Sequence, residues 1–373
     1  MKNLFWLSLF LILFAYAGYP VWVYLRAIFR PRPIRTASVF PSVTILLAIR
    51  NEAAWLAKKL QNLADLDYPS HLLEVIVVSD GSVDGTDQIL TAAEGPHIHG
   101  ILLEEHRGKA NALNCGVARA HGEVIVFTDA RQMIAAEALR NLVENFADPS
   151  VGGVSGELVI GQDSNTSAAE GVGLYWQMEK KIRLWEGLGG SSVGATGSFY
   201  AIRKELLAPI PQGTILDDLY IPLHAARSGG RVVFEPRAVA YDPLTPDPKQ
   251  EFRRKLRTLF GNYQLLQLAP WILSSSNPLR YEFVCHKLLR LLVPFALLGL
   301  LASTAWLRNT PYGLIFAAQL AFYTLAGLGM ARPLRLGFLT RLSSISLAFT
   351  VLNSAAVLAF VYFVSGRKPA WTR

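Results

Sequence analysis

The chain has 373 residues, 51% of them apolar and only 17% charged, with 36 Lys and Arg against 28 Asp and Glu for a net charge of +8. A mean hydropathy of +0.29 excludes a disordered chain and an ordinary soluble enzyme. The apolar residues gather at the two ends, so the composition describes an integral membrane protein with a soluble middle. Two cysteines, Cys115 and Cys285, supply neither a disulfide framework nor a four-thiolate metal site.

Residues 4–25 form an uncharged run of bilayer-crossing length, too long for the apolar stretch of a signal peptide. Arg26, Arg30, Arg32 and Arg35 follow it and, by the positive-inside bias, place the middle of the chain in the cytoplasm. Between about residues 40 and 245, short β-branched runs alternate with amphipathic stretches, the pattern of βαβ units around a mostly parallel sheet. Strands are expected at 43–49, 74–79 and 123–128, with a weaker one from 98, and helices near 51–64, from 84, at 109–119 and at 135–146. Residues 246–287 read as interface helices. In them Phe252, Leu256, Leu259, Phe260 and Tyr263 make an apolar stripe among Arg253, Arg254, Lys255 and Arg257, suited to an anionic lipid surface. Three further spans are expected within 288–365, near 288–307, 311–331 and 343–364. Arg332, Arg335 and Arg341 suit a cytoplasmic loop between the last two. That count would leave Arg367, Lys368 and Arg373 outside, against the charge bias, unless the tail is an exception or one span is re-entrant. Basic residues clustered beside spans suit lipid headgroups and argue against a nucleic-acid partner.

The ends of the strands carry the chemistry. The first runs into Arg50-Asn51-Glu52, the second into Asp80-Gly81-Ser82 and the fourth into Asp129-Ala130-Arg131. Ligands of open parallel sheets bind beyond the carboxyl ends of the strands, so these acids would converge on one crevice. Crowded carboxylates need cations or hydrogen-bond donors between them. An acid after a strand is also a common helix cap, and DGSVDGT reads equally as a capped turn. No GxGxxG follows the first strand and no GxxxxGK[ST] occurs, which excludes the Rossmann and P-loop readings. Lys109, at a helix start beside Gly108, is either a solvated lysine or a contact to nucleotide phosphate.

The segments AIRNE, VVSDGSVDGT, HRGKANALNCG, VFTDAR, GATGSFYAIRKE, ILDDLYIPLHAARSGGRVVFEP and FRRKLRTLFGN, in this order over residues 43–262, resemble a membrane glycosyltransferase of family 2. The resemblance implies a nucleotide-binding α/β domain of the GT-A type, a nucleotide-sugar donor and an inverting transfer. It implies that Glu52 and Asp80 hold base and ribose, and that Lys109 and Arg131 belong to the donor site. Asp129 matches the first acid of the Asp-x-Asp metal motif, for Mg2+ or Mn2+; the second acid is replaced by Arg131. Of the acidic pair Asp217-Asp218, the second matches the family's general base and the first a supporting group. Gly197 and Ser198 would lie near the acceptor, and Arg257 near the leaving diphosphate. Processive members carry Gln-x-x-Arg-Trp; here Arg254-Lys255-Leu256-Arg257-Thr258 keeps only the arginine.

The resulting expectation is a multi-pass enzyme of the cell (inner) membrane. It would move a sugar, most simply UDP-linked, to a saccharide or lipid-linked acceptor for cell-surface or extracellular glycan. The alternatives are a processive β-polysaccharide synthase-exporter, a polyprenyl-phosphate sugar transferase, and a non-catalytic nucleotide-sugar-binding assembly subunit. Membrane lipids, a second copy of the chain or an export partner complete the expected partners.

Overall fold

The computed structural model of the protein describes residues 1–160, 167–242, 248–331 and 337–368. An apolar rod comes first, α1 (Lys2–Leu13) and α2 (Tyr19–Phe29) joined by a π turn at Phe14–Gly18. The middle of the chain forms a domain of eight strands in one sheet. In chain order it runs β1 (Val43–Ile49), α3 (Ala53–Ala64), β2 (Leu73–Asp80), α4 (Thr86–Ala92), β3 (Ile98–Leu103), α5 (Lys109–Arg119), β4 (Val124–Thr128), β5 (Met133–Ile134), α6 (Ala138–Val143), β6 (Val151–Ile160), α7 (Ser167–Gly189), β7 (Phe199–Arg203), α8 (Asp217–Arg227) and β8 (Arg231–Asp242). Helices α9 (Pro248–Leu268), α10 (Arg280–Phe283), α11 (Leu289–Leu307), α12 (Tyr312–Ala331) and α13 (Gly337–Val364) complete the chain.

The spatial order is β3-β2-β1-β4-β7-β6-β8-β5. β1 pairs in parallel with β2 and with β4, and β2 with β3, as the alternating pattern predicts. The other half is mixed, because β7 runs antiparallel to both β4 and β6. The expected helix over 135–146 is also shorter, since Met133–Ile134 pairs with β8 first. After β3 the chain crosses to the far side of β1, so the strand order reverses between β1 and β4. That switch point opens a crevice at the carboxyl ends of both strands.

Alternation along each strand divides the interior into two layers. Ile45, Leu47, Val75, Val77 and Val126 face Leu56, Leu60 and Leu63 of α3 and Leu139 and Leu142 of α6. Leu46, Ile76, Val78, Ile125 and Phe127 face Ala112 and Leu113 of α5 and Leu219 and Leu223 of α8. Each large apolar side chain so covered contributes about 1.5–3 kcal/mol relative to exposure.

Four helices are long and apolar enough to cross a bilayer: Lys2–Phe29, Arg280–Leu307, Tyr312–Met330 and Leu339–Val364. The first C-terminal one begins well before the expected residue 288, and its early turns carry polar residues tied to the domain. His286 lies between Glu186 (2.7 Å) and Glu179 (2.9 Å) of α7, and Glu179 also accepts from Lys287 (2.8 Å) and Arg290 (2.7 Å). Tyr19 of the N-terminal rod donates to Glu186, and Arg26 pairs with Glu282. Burial works against ionisation of Glu179, yet its neighbours His286, Lys287 and Arg290 hold it well below the usual carboxylate range. The apolar stripe of α9 departs from expectation in its partner: Leu256 and Phe260 pack on Ala359 of α13 instead of being left for lipid. Arg332, Arg335 and Arg373 lie outside the described residues.

Helix α5 lies against β1 only because Gly116 has no side chain; a Cβ there would run into buried Leu46. Gly116→Val should therefore destabilise the domain by about 1–3 kcal/mol, the usual range for overpacking. A lowered melting temperature of the purified protein in detergent is the expected reading.

Candidate active site

Two loops close the mouth of the crevice by holding each other. After β1, Asn51 turns through the left-handed region (φ 55°), its N–H donating to Ser82 Oγ (3.0 Å) while its Oδ1 accepts from Val83 N–H (2.8 Å). Glu52 N–H donates to Thr86 Oγ1 (2.9 Å) and Ala53 N–H to Asp84 Oδ2 (3.1 Å). Asp84 also accepts from Thr86 N–H (3.1 Å), so DGSVDGT is a capped turn, as one reading of it held. Glu52 itself stays half-buried at the crevice. Burial pushes its carboxyl up; Arg131 opposes that, and Asp129 and Asp84 add to it.

Asp80 ends β2 with almost no exposure. Its Oδ1 accepts from Arg107 N–H (2.8 Å), and its Oδ2 from Gly108 N–H (2.8 Å) and His106 Nδ1 (2.7 Å). Gly81 (φ 63°) permits this approach, since a Cβ there would meet His106 N at 2.7 Å. Asp80 thus anchors the turn from which Lys109 starts α5. Lys109 Nζ then sits 3.2 Å from Asp129 Oδ1 and 3.3 Å from Asp217 Oδ2. Burial disfavours its charge, but Asp129, Asp217 and Asp218 together raise its pKa above that of a free lysine. Acids from β4 and α8, distant in sequence, are held together by one ammonium.

Both acids of the pair lie in the first turn of α8, where the helix N-terminus favours negative charge. Asp217 is buried at 4% exposure, whereas Asp218 is half-buried. Asp218 rests on the 194–197 loop: Ala195 N–H donates to its backbone oxygen (2.9 Å), and a Cβ on Gly197 would lie 2.8 Å from its Oδ2. Burial, then repulsion from Asp217, pushes the Asp218 carboxyl up to about 6, against the pull of Lys109, Arg183 and Lys287. Arg183 of α7 donates to Thr196 Oγ1 (2.7 Å) and so braces the same loop. Asp129, Lys109, Asp217, Asp218 and Gly197 are therefore brought together, with Ser198 buried at the next position.

Arg131 is committed within the protein: its Nε and Nη2 donate to Asp242 at 3.1 and 2.7 Å, beside Gln132 Nε2 on the same carboxylate (2.9 Å). Arg257 is half-buried on α9, one turn before Gly261, at which a Cβ would lie 2.6 Å from Leu216 Cγ. Gln264 of the same helix accepts from Ile215 N–H (3.1 Å) and donates to Gly213 O (2.8 Å). Helix α9 thereby buttresses the loop that delivers the acidic pair.

Three residues at the site escaped the sequence. Lys59 of α3 is wholly buried, its Nζ donating to Thr128 Oγ1 (3.1 Å) and Gln132 O (2.5 Å). Its one sequence signal is a lysine inside the apolar stripe formed by Leu56, Leu60 and Leu63. Tyr200 stacks on Phe127 (4.7 Å), and its buried hydroxyl has no hydrogen-bond partner among the described residues. Burial and the charges of Asp217, Asp218 and Asp129 raise that phenol well above its ordinary pKa, which marks its place beside all three. Arg183 is the third; nothing in its local pattern distinguishes it from a solvated helix arginine.

Among the described residues, no group of three or more His, Cys, Asp or Glu side chains is arranged to hold an ion. Asp129 nevertheless presents a carboxylate whose side chain is 42% exposed at the strand end. One carboxylate completed by diphosphate and water oxygens is a normal Mg2+ environment. The residues fit an ion that arrives with a diphosphate, not one held by protein alone.

Residues 44–210 match the family described as Glycosyl transferase family 2. A poly-beta-1,6-N-acetyl-D-glucosamine synthase from Staphylococcus aureus is 26% identical over 229 residues, 60% of this chain and 55% of that protein. The corresponding synthase from Staphylococcus epidermidis is 26% identical over 234 residues, 61% of this chain and 56% of its own length. The chain thus spans little more than half of these curated relatives. A mannosyltransferase from Pyrobaculum calidifontis, solved with GDP-Man and Mn2+, superposes with a TM-score of 0.72 over 98% of this chain and 100% of that one, at 24% identity. That likeness speaks for the fold, membrane helices included. Motif order, the strand switch beside Asp129 and these matches agree: residues 44–210 match glycosyl transferase family 2, in a fold like that of a GT-A glycosyltransferase domain, set between one N-terminal and three C-terminal membrane-length helices.

Proposed function

We propose that the protein is an inverting glycosyltransferase of the cell membrane, with its domain in the cytoplasm. It would pass a sugar from a nucleotide diphosphate donor, UDP-linked, to a hydroxyl of a saccharide or lipid-linked acceptor. The observation that carries this reading is the contact of Lys109 with both Asp129 and Asp217, which sets a donor-side acid and the neighbour of the candidate base, Asp218, on one cation. Positive charge is needed where the leaving diphosphate gains negative charge, and Lys109 lies there already. Arg257, on the buttressing helix, would add to it once donor is bound. A divalent ion on Asp129 would neutralise the diphosphate further.

Asp218 suits the remaining task. A single displacement with inversion needs a base at the acceptor hydroxyl, on the side of the sugar away from the diphosphate. The half-buried carboxylate of Asp218 over Gly197 supplies that base, and Asp217, buried against Lys109, supports it and raises its basicity. Glu52 lines the base and ribose end. Asp80 serves that end indirectly, through the turn it anchors. Lys287, at the foot of a membrane-length helix and among the charges acting on Asp218, supports a site close to the membrane. An acceptor held at the cytosolic surface of the bilayer would meet the base there.

A screen of UDP- and GDP-sugars with purified protein, measuring released nucleotide and product mass, tests the reading. Asp218→Asn should lower kcat by about 10²–10⁴-fold while nucleotide binding persists. Turnover undiminished in that variant removes Asp218 as base. Because the base must be ionised, kcat should fall as pH drops through about 6. Asp217→Asn removes the repelling charge and should move that acidic limb to lower pH, seen in the pH profile of whatever activity remains.

A further inference from the structure

Lys59 is a charge in a place built for hydrocarbon. It is wholly buried, in the core-facing stripe of α3, and burial pulls its ammonium down to about 7. A lysine is almost never fully buried unless it is paired. Its hydrogen-bond partners are no carboxylate but the two ends of one turn, Thr128 Oγ1 (3.1 Å) and Gln132 O (2.5 Å). Between those ends stand Asp129 and Arg131. Thr128 Oγ1 in turn donates to Ser198 O (2.9 Å), which carries the connection to the start of β7 beside Gly197. From the other side, buried Asp242 takes Arg131 and Gln132. Two buried charges of opposite sign therefore grip a turn whose single exposed acid is Asp129.

We propose that Lys59 is a positioning residue of the donor site, tying both ends of the Thr128–Gln132 turn together so that Asp129 meets the donor diphosphate at a fixed angle. The proposal rests on the glycosyltransferase reading above and adds a residue to it. Its physical signature separates it from a role in stability. Methionine keeps the volume of the side chain and removes only the ammonium and its two hydrogen bonds, so the cost in stability is that of the acceptors left behind. A packing role and a positioning role therefore move binding and melting temperature differently.

The test uses the full chain in detergent, comparing wild type, Lys59→Met and Thr128→Val. Three quantities are measured: melting temperature, hydrogen–deuterium exchange of the peptide spanning 128–134, and affinity for UDP with Mn2+. Lys59→Met should lower the melting temperature only modestly, speed exchange in that peptide, and weaken Mn2+–UDP binding about tenfold, one hydrogen-bonded clamp's worth. Thr128→Val, which keeps the ammonium but removes its hydroxyl partner, should change both readings in the same direction and by less. Unchanged exchange in both variants overturns the clamp. A turn that loosens while Mn2+–UDP affinity holds overturns the positioning role. Failure of the underlying reading shows separately, as a wild type that binds no nucleotide.

Discussion

Everything at the centre of this protein turns on the repulsion between carboxylates that the fold forces together. Asp129 ends one strand, while Asp217 and Asp218 open a helix nearly ninety positions later (about a quarter of the chain), and they meet at the sheet's switch point. Such a group stays ionised and close only with a cation among its members. Lys109 is that cation, and the structure spends several devices on placing it: three hydrogen bonds accepted by Asp80, the left-handed Gly81, and the turn at Gly108. The arrangement leaves positive charge beside an exposed acid and a raised carboxyl beside an open face. Both are what transfer from a sugar diphosphate asks for.

The membrane helices are part of this arrangement and not a separate anchor. Helix α7 carries Glu179 and Glu186 toward Tyr19, His286, Lys287 and Arg290, and between those glutamates it turns Arg183 toward Thr196. The same helix therefore grips the membrane-length rods and the loop on which Asp218 rests. Charges buried at such a junction are costly unless every one is paired. Here each carboxylate has two or more donors, which fixes the domain in one orientation over the helices. Helix α9 adds a second tie, joining α13 on one face to the loop before the acidic pair on the other.

The local pattern of the sequence carried most of the domain. Buried parallel strands announced themselves as β-branched runs, and the α5 boundaries at Lys109 and Arg119 were legible because Gly108 breaks the chain just before them. Departures came where pairing, not propensity, decides. β7 runs antiparallel because it returns beside β4 from the far half of the sheet, and Met133–Ile134 becomes a strand only because β8 offers an edge. The apolar stripe of α9 gave no means of telling a lipid surface from a neighbouring helix, since both bury it equally well.

Residue types and motif spacing alone nominated Glu52, Asp80 and Asp129, because ligands of open sheets bind beyond the strand ends, while Asp217 and Asp218 came from the resemblance to a known family. Residue types also determined four membrane-length segments, because crossing hydrocarbon requires some twenty apolar residues in a row. Only the tertiary structure decided how each charge is balanced. It assigned Arg131 to Asp242, gave Asp80 two backbone donors and the His106 ring, set Lys109 between two acids and drew Lys59 beneath the Asp129 turn. The physical reason is range. Apolar periodicity is written in neighbours three or four residues apart, whereas a charge takes its partner from whatever residue the fold brings within about 3 Å.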